Sequence, residues 1–202
     1  EAECPPRSAM ENAEHLVNNE RKPFWLRFAA GWALCHPWAA GRGDDVVHIW
    51  PATIEQHETF YGAIASKTKN NPNGCKITIP DAWLARPWLR TFFELYMESF
   101  RRLYPKKAAR EKEMQRDYFS DRVYRRGSPG TSTWVCDART PMTAKNAAQT
   151  YRQVLEECGV TGAQLDRCTF HGAKTSIVFN ASHQGRDPQA ISVATRNRSP
   201  EM

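Results

Sequence analysis

The chain has 202 residues, of which 41% are hydrophobic and 25% are charged, as in ordinary globular proteins. This composition excludes collagen-like and fully disordered chains. The most apolar stretch, Phe24 to Trp38, contains Arg27 and His36 and is shorter than the about 18 residues that a membrane-spanning helix requires. The length suits one domain, and six cysteines without CxxC spacing favour a reducing, intracellular compartment.

The net charge of +6 comes from one stretch, Arg101–Arg126, which we call the basic segment. It contains ten Lys or Arg and four Asp or Glu residues, so the rest of the chain is neutral overall. Cations mixed with Tyr104, Tyr118 and Tyr124 favour a surface that follows a nucleic-acid backbone. The alternative is a solvated helix face with ion pairs four residues apart, and charge alone does not choose between the two.

The first half of the chain predicts helices and one hairpin. Apolar periodicity predicts helices over Ser8–Asn18 and Phe24–His36, followed by a short helix over Gly41–Ile49. The β-rich runs Thr59–Ser66 and Cys75–Ile79 enclose a polar Asn/Pro/Gly stretch, which is typical of a β-hairpin.

The second half predicts further helices. We expect one from Pro80 or Asp81 to about Leu103, kinked or restarted by Pro87, with Leu84, Trp88 and Phe92 in the core. After a loop at residues 127–133, Thr143 is the expected N-cap of a helix that runs to Glu157 and ends at Gly159. Two more helices are predicted at His171–Gln184 and from Pro188, with Asp187 as N-cap. The predicted fold class is α+β, mostly helical, with helices around one small sheet.

Four segments, in this order, resemble the tyrosine recombinases and phage-type integrases. AGRGDDVVHIWPATI resembles the first conserved box of that family, and ASKTKNNPNGCKITIP resembles the hairpin that carries its catalytic lysine. PMTAKNAAQTYRQVLEECGV is similar to the helix before the second box, and TFHGAKTSIVFNASHQGRDPQAISVA resembles that box itself. The segments are Ala40–Ile54, Ala65–Pro80, Pro141–Val160 and Thr169–Ala194. The resemblance implies that residues 1–22 form an N-terminal linker and helix, and that residues 23–202 form a recombinase-like catalytic domain.

The resemblance also implies roles for individual residues. In this family a tyrosine hydroxyl attacks a DNA phosphodiester, and positioned cations stabilise the charge that develops on the phosphate. Arg42 would hold the phosphate, Asp45 would orient the site, and Lys67 would protonate the departing 5′ oxygen. His171 would act in proton transfer or donate a hydrogen bond to the phosphate. Lys174 takes the place of the second family arginine.

Three departures from the family pattern bear on activity. An ammonium at Lys174 cannot hold two phosphate oxygens as a guanidinium fork does. The family's third box falls at Asn197, which does not supply the usual group, although the neighbouring Arg196 could stabilise a phosphate. The nucleophilic tyrosine is expected beyond Met202, so we expect the chain to be part of a longer protein.

The resulting hypothesis is a recombinase that cleaves and rejoins double-stranded DNA as a homo-multimer, without a metal or other cofactor and without a membrane. Alternatives are a catalytically inactive DNA-binding module, or an unrelated basic helical protein that binds RNA or another partner. The expected DNA-binding side chains, by charge and by position on the hairpin, are Lys69, Arg101, Arg102, Lys106, Lys107 and Arg110. Arg42 as a loop arginine, Lys67 and Lys69 as ordinary charges at a hairpin tip, and His171 as a helix-starting residue remain open. Cys158, Cys168 and His171 do not have a common zinc spacing.

Overall fold

The computed structural model describes residues 3–39, 43–67, 73–127, 132–170 and 172. Its helices and strands have the following residue ranges, in chain order. They are α1 (Arg7–Asn18), α2 (Phe24–Trp38), α3 (Gly43–Val47), a 3₁₀ turn (Pro51–Thr53), β1 (Glu55–Gln56), β2 (Phe60–Ala65), β3 (Cys75–Pro80), α4 (Leu89–Leu103), α5 (Lys107–Met114), β4 (Asp121–Arg126), β5 (Thr133–Pro141), α6 (Ala144–Glu157) and α7 (Gly162–Arg167).

Helix α2 lies at the centre of the core, with α1, α4 and α6 packed around it. Its residues from Phe28 to Pro37 are all buried, as expected for a helix that is apolar around its whole circumference. The approach of α2 to α4 depends on Gly31, because a Cβ at this position would lie 2.2 Å from Cδ2 of Phe92. Phe28, Phe92 and Tyr96 then form a ring cluster between the two helices.

The predicted hairpin is confirmed. Strands β2 and β3 pair in antiparallel register from Phe60↔Pro80 to Ala65↔Cys75, and β1 adds to the other edge of β2. Tyr61 and Ala65 of β2 are buried on the core side, whereas Ile64 faces outward. The period of two in burial is what positions successive side chains on opposite faces of the sheet.

The prediction of a single sheet is wrong, because β4 and β5 form a second antiparallel hairpin. Strand β4 lies within the basic segment, where charged residues interrupt the alternation of apolar and polar residues that would predict a strand. Asp121 and Val123 are buried, while Arg122 and Tyr124 between and after them are partly exposed. The carboxylate of Asp121 is hydrogen-bonded to other side chains inside the protein, so this charged residue lies in the core.

The predicted start of the long helix at Pro80 or Asp81 is also wrong, since α4 begins at Leu89. The carboxylate of Glu14, fully buried on α1, accepts hydrogen bonds from the backbone N–H groups of Leu84, Ala85 and Arg86 at 2.8, 2.7 and 3.0 Å. These backbone donors serve a side chain from another element, so the stretch before Pro87 forms a loop. Pro87 then precedes the helix by two residues, which is compatible with its missing N–H.

The helix after the second hairpin is confirmed in both its start and its end. Thr143 is the N-cap of α6, and its Oγ1 accepts a hydrogen bond from the N–H of Asn146 at 3.2 Å. Gly159 follows the helix with a φ of +94°, the left-handed conformation expected after a helix C-terminus. The sequence did not predict the six-residue α7. The helices expected at His171–Gln184 and from Pro188 lie outside the described residues, apart from Gly172.

The described helices include none that is both long enough and apolar enough to span a membrane. Several cysteines are buried in the core as free thiols, including Cys35, Cys158 and Cys168. Burial raises the pKa of the Cys158 thiol to about 12, which keeps it protonated and unreactive at neutral pH.

Candidate nucleic-acid interface

The structure describes some of the predicted site residues and leaves others outside the described ranges. Described are Asp45, Lys67, Arg101, Arg102, Lys106, Lys107 and Arg110. Outside the described residues lie Arg42, Lys69, His171, Lys174, Arg196 and Asn197. For this second group, the roles given by the family resemblance stay predictions.

Backbone hydrogen bonds bring the segment of Asp45 and the strand end before Lys67 together. The N–H of Ser66, next to Lys67, donates to the carbonyl of His48 at 2.9 Å, three residues beyond Asp45. Asp45 is buried with 7% of its surface exposed, and Lys67 is exposed. Two segments distant in sequence are therefore joined by main-chain contacts, with a buried carboxylate on one and an exposed ammonium on the other.

The end of the basic segment packs against the same place. The N–H of Phe119 donates to the carbonyl of Val47 at 3.0 Å, and the hydroxyl of Ser66 donates to the carbonyl of Asp117 at 3.4 Å. Three elements thus meet: the end of α3, the end of β2 and the loop between α5 and β4. We call this meeting point the α3–β2 junction.

The loop between α5 and β4 is held by a buried ionic network that the sequence analysis missed. Arg116 donates to Oδ2 of Asp121 at 2.9 Å, and the hydroxyl of Tyr104 donates to the same oxygen at 2.6 Å. The guanidinium of Arg116 also donates to the carbonyls of Tyr118 and Phe119 at 3.2 and 3.1 Å. Its plane lies over the rings of Phe100 and Tyr118.

This network fixes the loop that contacts the α3–β2 junction. Side-chain exposure is 7% for Arg116 and 1% for Asp121, so the charges are shielded from water. Burial, and then the hydrogen bond to Asp121, raises the pKa of Tyr104 well above its usual value, so its hydroxyl remains a donor. An aspartate in an alternating Asp-Arg-Val-Tyr run was the sequence signal that could have indicated a buried partner.

The first half of the basic segment is exposed and carries the predicted DNA-binding side chains. Arg101 and Arg102 form ion pairs with Glu98 at 3.1 and 3.3 Å, and Lys107 pairs with Glu111 at 3.7 Å. These are the local ion pairs of the solvated-helix alternative. Exposed pairs of this kind contribute little to stability, so their cations remain available to phosphate groups. Lys106 makes no ion pair within the described part of the chain.

Arg110 differs from the other predicted DNA-binding residues. Its guanidinium donates to the carbonyls of Pro105 at 2.6 Å and of Tyr104 at 3.3 Å. It therefore closes the turn between α4 and α5, and it is partly buried there. A substitution of Arg110 would alter this turn as well as the surface charge.

Arg125, near the end of the basic segment, is also used internally. It pairs with Glu156 and, at 3.1 Å, with Glu157, both on α6. Gln153 contacts the Arg125 backbone from the same helix, accepting from its N–H at 2.9 Å and donating to its carbonyl at 3.1 Å. These contacts dock the second hairpin on α6.

Phe170 and Gly172, on either side of His171, are held by contacts with several parts of the chain. Phe170 stacks on His36 with ring centroids 4.2 Å apart, and it contacts the Tyr151 ring in a tilted arrangement at 4.6 Å. The N–H of Gly172 donates to Oγ1 of Thr169 at 3.1 Å, which is the hydrogen bond of a helix N-cap. The N-terminal segment covers this turn so closely that a Cβ at Gly172 would lie 2.0 Å from the Glu3 carbonyl oxygen.

His36 is a buried titratable group beside this turn. It is 1% exposed, and neither ring nitrogen has a hydrogen-bond partner within the part of the chain that the structure describes. Burial lowers the pKa of His36 to about 3, so the imidazole is neutral at physiological pH.

The described residues contain no group of three His, Cys, Asp or Glu side chains able to hold a metal ion. Of the three residues considered for zinc, His171 lies outside the described residues. The pairing of Cys158 and Cys168 with other ligands is therefore not supported by any described cluster.

Comparisons with known proteins place the fold. No protein-family model matches the sequence, and no curated protein matches it either. Among solved structures, the chain is similar to a Flpe–Holliday junction complex with a TM-score of 0.56 and 13% identity over 95% of its length. It is similar to an FLP recombinase–Holliday junction complex with a TM-score of 0.54 and 11% identity over 96% of its length.

These results define an α+β fold that resembles the fold of the Flp recombinase structures. The predicted fold class is thereby confirmed, and the particular fold shared is that of the Flp recombinase structures. At this level of identity the likeness concerns the fold alone. The chain spans 43% and 45% of the length of the two matched chains.

Proposed function

We propose that this chain is a DNA-binding recombinase domain which, in the complete protein, takes part in DNA strand cleavage and rejoining through a phosphotyrosyl intermediate. The observation that carries the proposal is the α3–β2 junction, where main-chain contacts bring the segment of Asp45 beside Lys67 in a recombinase-type fold. The order of the four family-like segments supports it independently.

Each proposed site residue would have its own role in cleavage of the DNA strand. The attacking tyrosine, expected beyond Met202, would form a bond to phosphorus while the bond to the 5′ oxygen breaks. Lys67 would give its proton to that departing oxygen, and Arg42 and His171 would stabilise the phosphate. Asp45, buried near the junction, would hold the first box in place without contacting DNA. Lys174, Arg196 and Asn197 would surround the phosphate in the positions of the remaining family residues.

The exposed half of the basic segment would bind the DNA backbone. Arg101 and Arg102 lie on the C-terminal turn of α4, Lys107 begins α5 and Lys106 directly precedes it. Lys69, two residues after Lys67 in the sequence, would join them. DNA phosphates can replace the Glu carboxylates as partners of these cations with little loss of free energy, because exposed ion pairs are weak in water. We also propose that the protein acts as a homo-multimer on double-stranded DNA, since joining strands from two duplexes requires more than one cleavage site.

The role of Lys67 can be tested with a chemically altered substrate. A protein extended to include the nucleophilic tyrosine is incubated with nicked DNA, and covalent protein–DNA adducts are counted on a denaturing gel. We expect Lys67→Ala to abolish the adduct with ordinary DNA. Sulfur at the 5′ bridging position makes a leaving group that needs no proton, so it should restore the adduct in Lys67→Ala.

The matched control is Lys22→Ala, which changes an exposed lysine in another part of the chain. This variant should form the adduct with both substrates. A Lys67→Ala protein that forms the adduct normally with ordinary DNA, or that the sulfur substrate does not rescue, would contradict the general-acid role.

A catalytically inactive DNA-binding module is the second candidate. It is favoured by Lys174 and Asn197, which stand where the family has an arginine and a His or Trp. Lys174→Arg in the extended protein separates the two candidates. An increase in adduct formation supports the catalytic proposal, whereas DNA binding without any adduct in either protein supports the inactive module.

A further inference from the structure

The outer face of the first sheet carries an aromatic and an aliphatic side chain that the core does not use. Trp50 and Ile64 each expose 39% of their surface, although residues of these types are usually buried. They lie side by side, since the N–H of Trp50 donates to the carbonyl of Ile64 at 2.8 Å. We call them the Trp50–Ile64 patch.

The backbone under this patch is rigidly held. The N–H of Ile64 donates to Oγ1 of Thr53 at 2.9 Å, and Thr53 Oγ1 in turn donates to the carbonyl of Trp50 at 2.8 Å. Ile64 also pairs with Lys76 in the register of β2 and β3. The two apolar side chains thus lie over hydrogen-bonded backbone at the end of β2 and not on a loose loop.

The charges around the patch favour a polyanion. Lys76 lies opposite Ile64 on β3, and Lys67 follows Ile64 by three residues in the sequence. Both ammonium groups are exposed, and neither forms an ion pair within the described residues. The carboxylate of Glu55, on the next strand, is engaged by His57 at 3.5 Å.

We infer that the Trp50–Ile64 patch is a binding site for an unstacked DNA base next to the cleavage position. This inference rests on the proposed function, which places the scissile phosphate beside Lys67. Moving a strand to a new partner requires bases next to the break to leave their stack, and an exposed indole offers such a base a new stacking surface. Lys67 and Lys76 bind the phosphates on either side of that base.

The test compares two DNA probes with one sequence, a continuous duplex and a duplex with a three-nucleotide gap that contains 2-aminopurine. We expect Trp50→Ala to weaken binding to the gapped probe by about tenfold, as for the loss of one base–aromatic stack, and to leave duplex binding within about twofold. The 2-aminopurine fluorescence, quenched by stacking in the original protein, should recover in this variant.

Two further variants keep the test independent of folding. Trp50→Phe retains an aromatic ring and should retain the preference for the gapped probe, whereas Trp50→Leu retains apolar bulk and should lose it. Trp83→Ala is the matched control, because Trp83 is 53% exposed at a different place, in the loop before α4. It should bind both probes as the original protein does.

Each other outcome overturns the inference. Equal weakening on both probes would mean that Trp50 supports phosphate contacts or the fold. Unchanged DNA binding, with a lower sedimentation mass for Trp50→Ala, would mean that the patch contacts a second copy of the chain. If the original protein binds neither probe, the proposed function fails together with this inference; if it binds both equally, only this inference fails.

Discussion

The two halves of the basic segment contain similar residues and serve different ends. In residues 101–114 the cations are mostly exposed and pair with local carboxylates, as Arg102 does with Glu98. In residues 116–126, Arg116 and Arg125 are largely buried: Arg116 pairs with Asp121 and fixes the loop before β4, and Arg125 joins β4 to the distant helix α6. The difference shows that a run of positive charge is not one surface. The exposed cations of the first half are the proposed DNA-binding side chains, whereas Arg116 and Arg125 of the second half hold the surrounding fold together.

The largest effect on stability should come from the buried half. Asp121→Asn removes the nearer of the two carboxylates that pair with the buried Arg116 guanidinium and leaves only Glu113 at 3.9 Å among the described residues, so the free energy of unfolding should fall by about 3 kcal/mol, as for a broken buried ion pair. Urea unfolding followed by circular dichroism measures this change. Glu98→Gln, at an exposed pair of the first half, is the control and should leave the urea midpoint unchanged. A loss below about 1 kcal/mol for Asp121→Asn would mean that the buried half is not the support described here.

A second buried carboxylate, Glu14, tests whether backbone N–H donors stabilise a buried charge as much as an ionic partner does. Glu14 accepts hydrogen bonds from three backbone N–H groups and has no cationic partner among the hydrogen bonds that hold it. Glu14→Gln replaces a carboxylate oxygen with a donor, and it should lower the free energy of unfolding by about 2 kcal/mol, as for loss of a charge-assisted hydrogen bond. Increased proteolysis in the loop before α4 should accompany the loss. Unchanged proteolysis and stability would contradict this role.

His36 provides the opposite case, a buried basic group without a partner. Its pKa falls from 6.5 in the unfolded chain to about 3 in the folded protein, so the unfolded chain binds the proton more tightly. Stability from this residue is therefore complete above pH 6.5 and is lost as the pH falls toward 3. Between pH 7.5 and pH 5 the loss should be about 2 kcal/mol.

The control for this pH dependence is His36→Leu, which fills a similar volume without a titratable group. Its free energy of unfolding should change less than that of the original protein between pH 7.5 and pH 5. The same slope in both proteins would show that other groups cause the acid sensitivity.

The smallest effect on stability, and the largest on binding, is expected in the exposed half. Lys106→Gln with Lys107→Gln should leave thermal unfolding unchanged and weaken binding to every DNA sequence. Arg110 is left intact in this variant, because its guanidinium donates to the Tyr104 and Pro105 carbonyls and a substitution would change the turn as well as the charge. Thermal melting followed by circular dichroism checks the first part, and fluorescence anisotropy with two unrelated duplexes checks the second. A weaker affinity for only one duplex would indicate base recognition instead of phosphate contacts.

Elements with strong local signals could be predicted from the sequence. Helix α2 has a continuous apolar pattern, α6 has Thr143 at its start and Gly159 at its end, and the first hairpin has alternation with a turn between its strands. In each case neighbouring residues supply the information. The elements whose structure depends on distant partners could not be predicted in this way.

The second hairpin and the start of α4 are the clearest examples of that limit. Asp121 is buried because Arg116 and Tyr104 meet its carboxylate, and the loop before α4 forms because Glu14 from α1 accepts its N–H groups. Glu14 is 71 residues from Ala85 and Tyr104 is 17 residues from Asp121, so a local sequence pattern does not reveal these contacts, although Arg116 is only five residues from Asp121. In the candidate site, the exposed lysines could be chosen by type and motif, but the junction that brings the Asp45 segment beside Lys67 required the fold.

The most direct test of the proposed function is the salt dependence of binding to a synthetic four-way DNA junction. The dissociation constant is measured for the original chain and for the Lys106→Gln, Lys107→Gln variant, with Lys22→Gln as the matched control. We predict salt-dependent binding whose log–log slope becomes shallower by about two in the double variant and is unchanged in the control. No binding at low salt, or the same slope in all three proteins, would contradict the account of the exposed basic half as a DNA-binding surface.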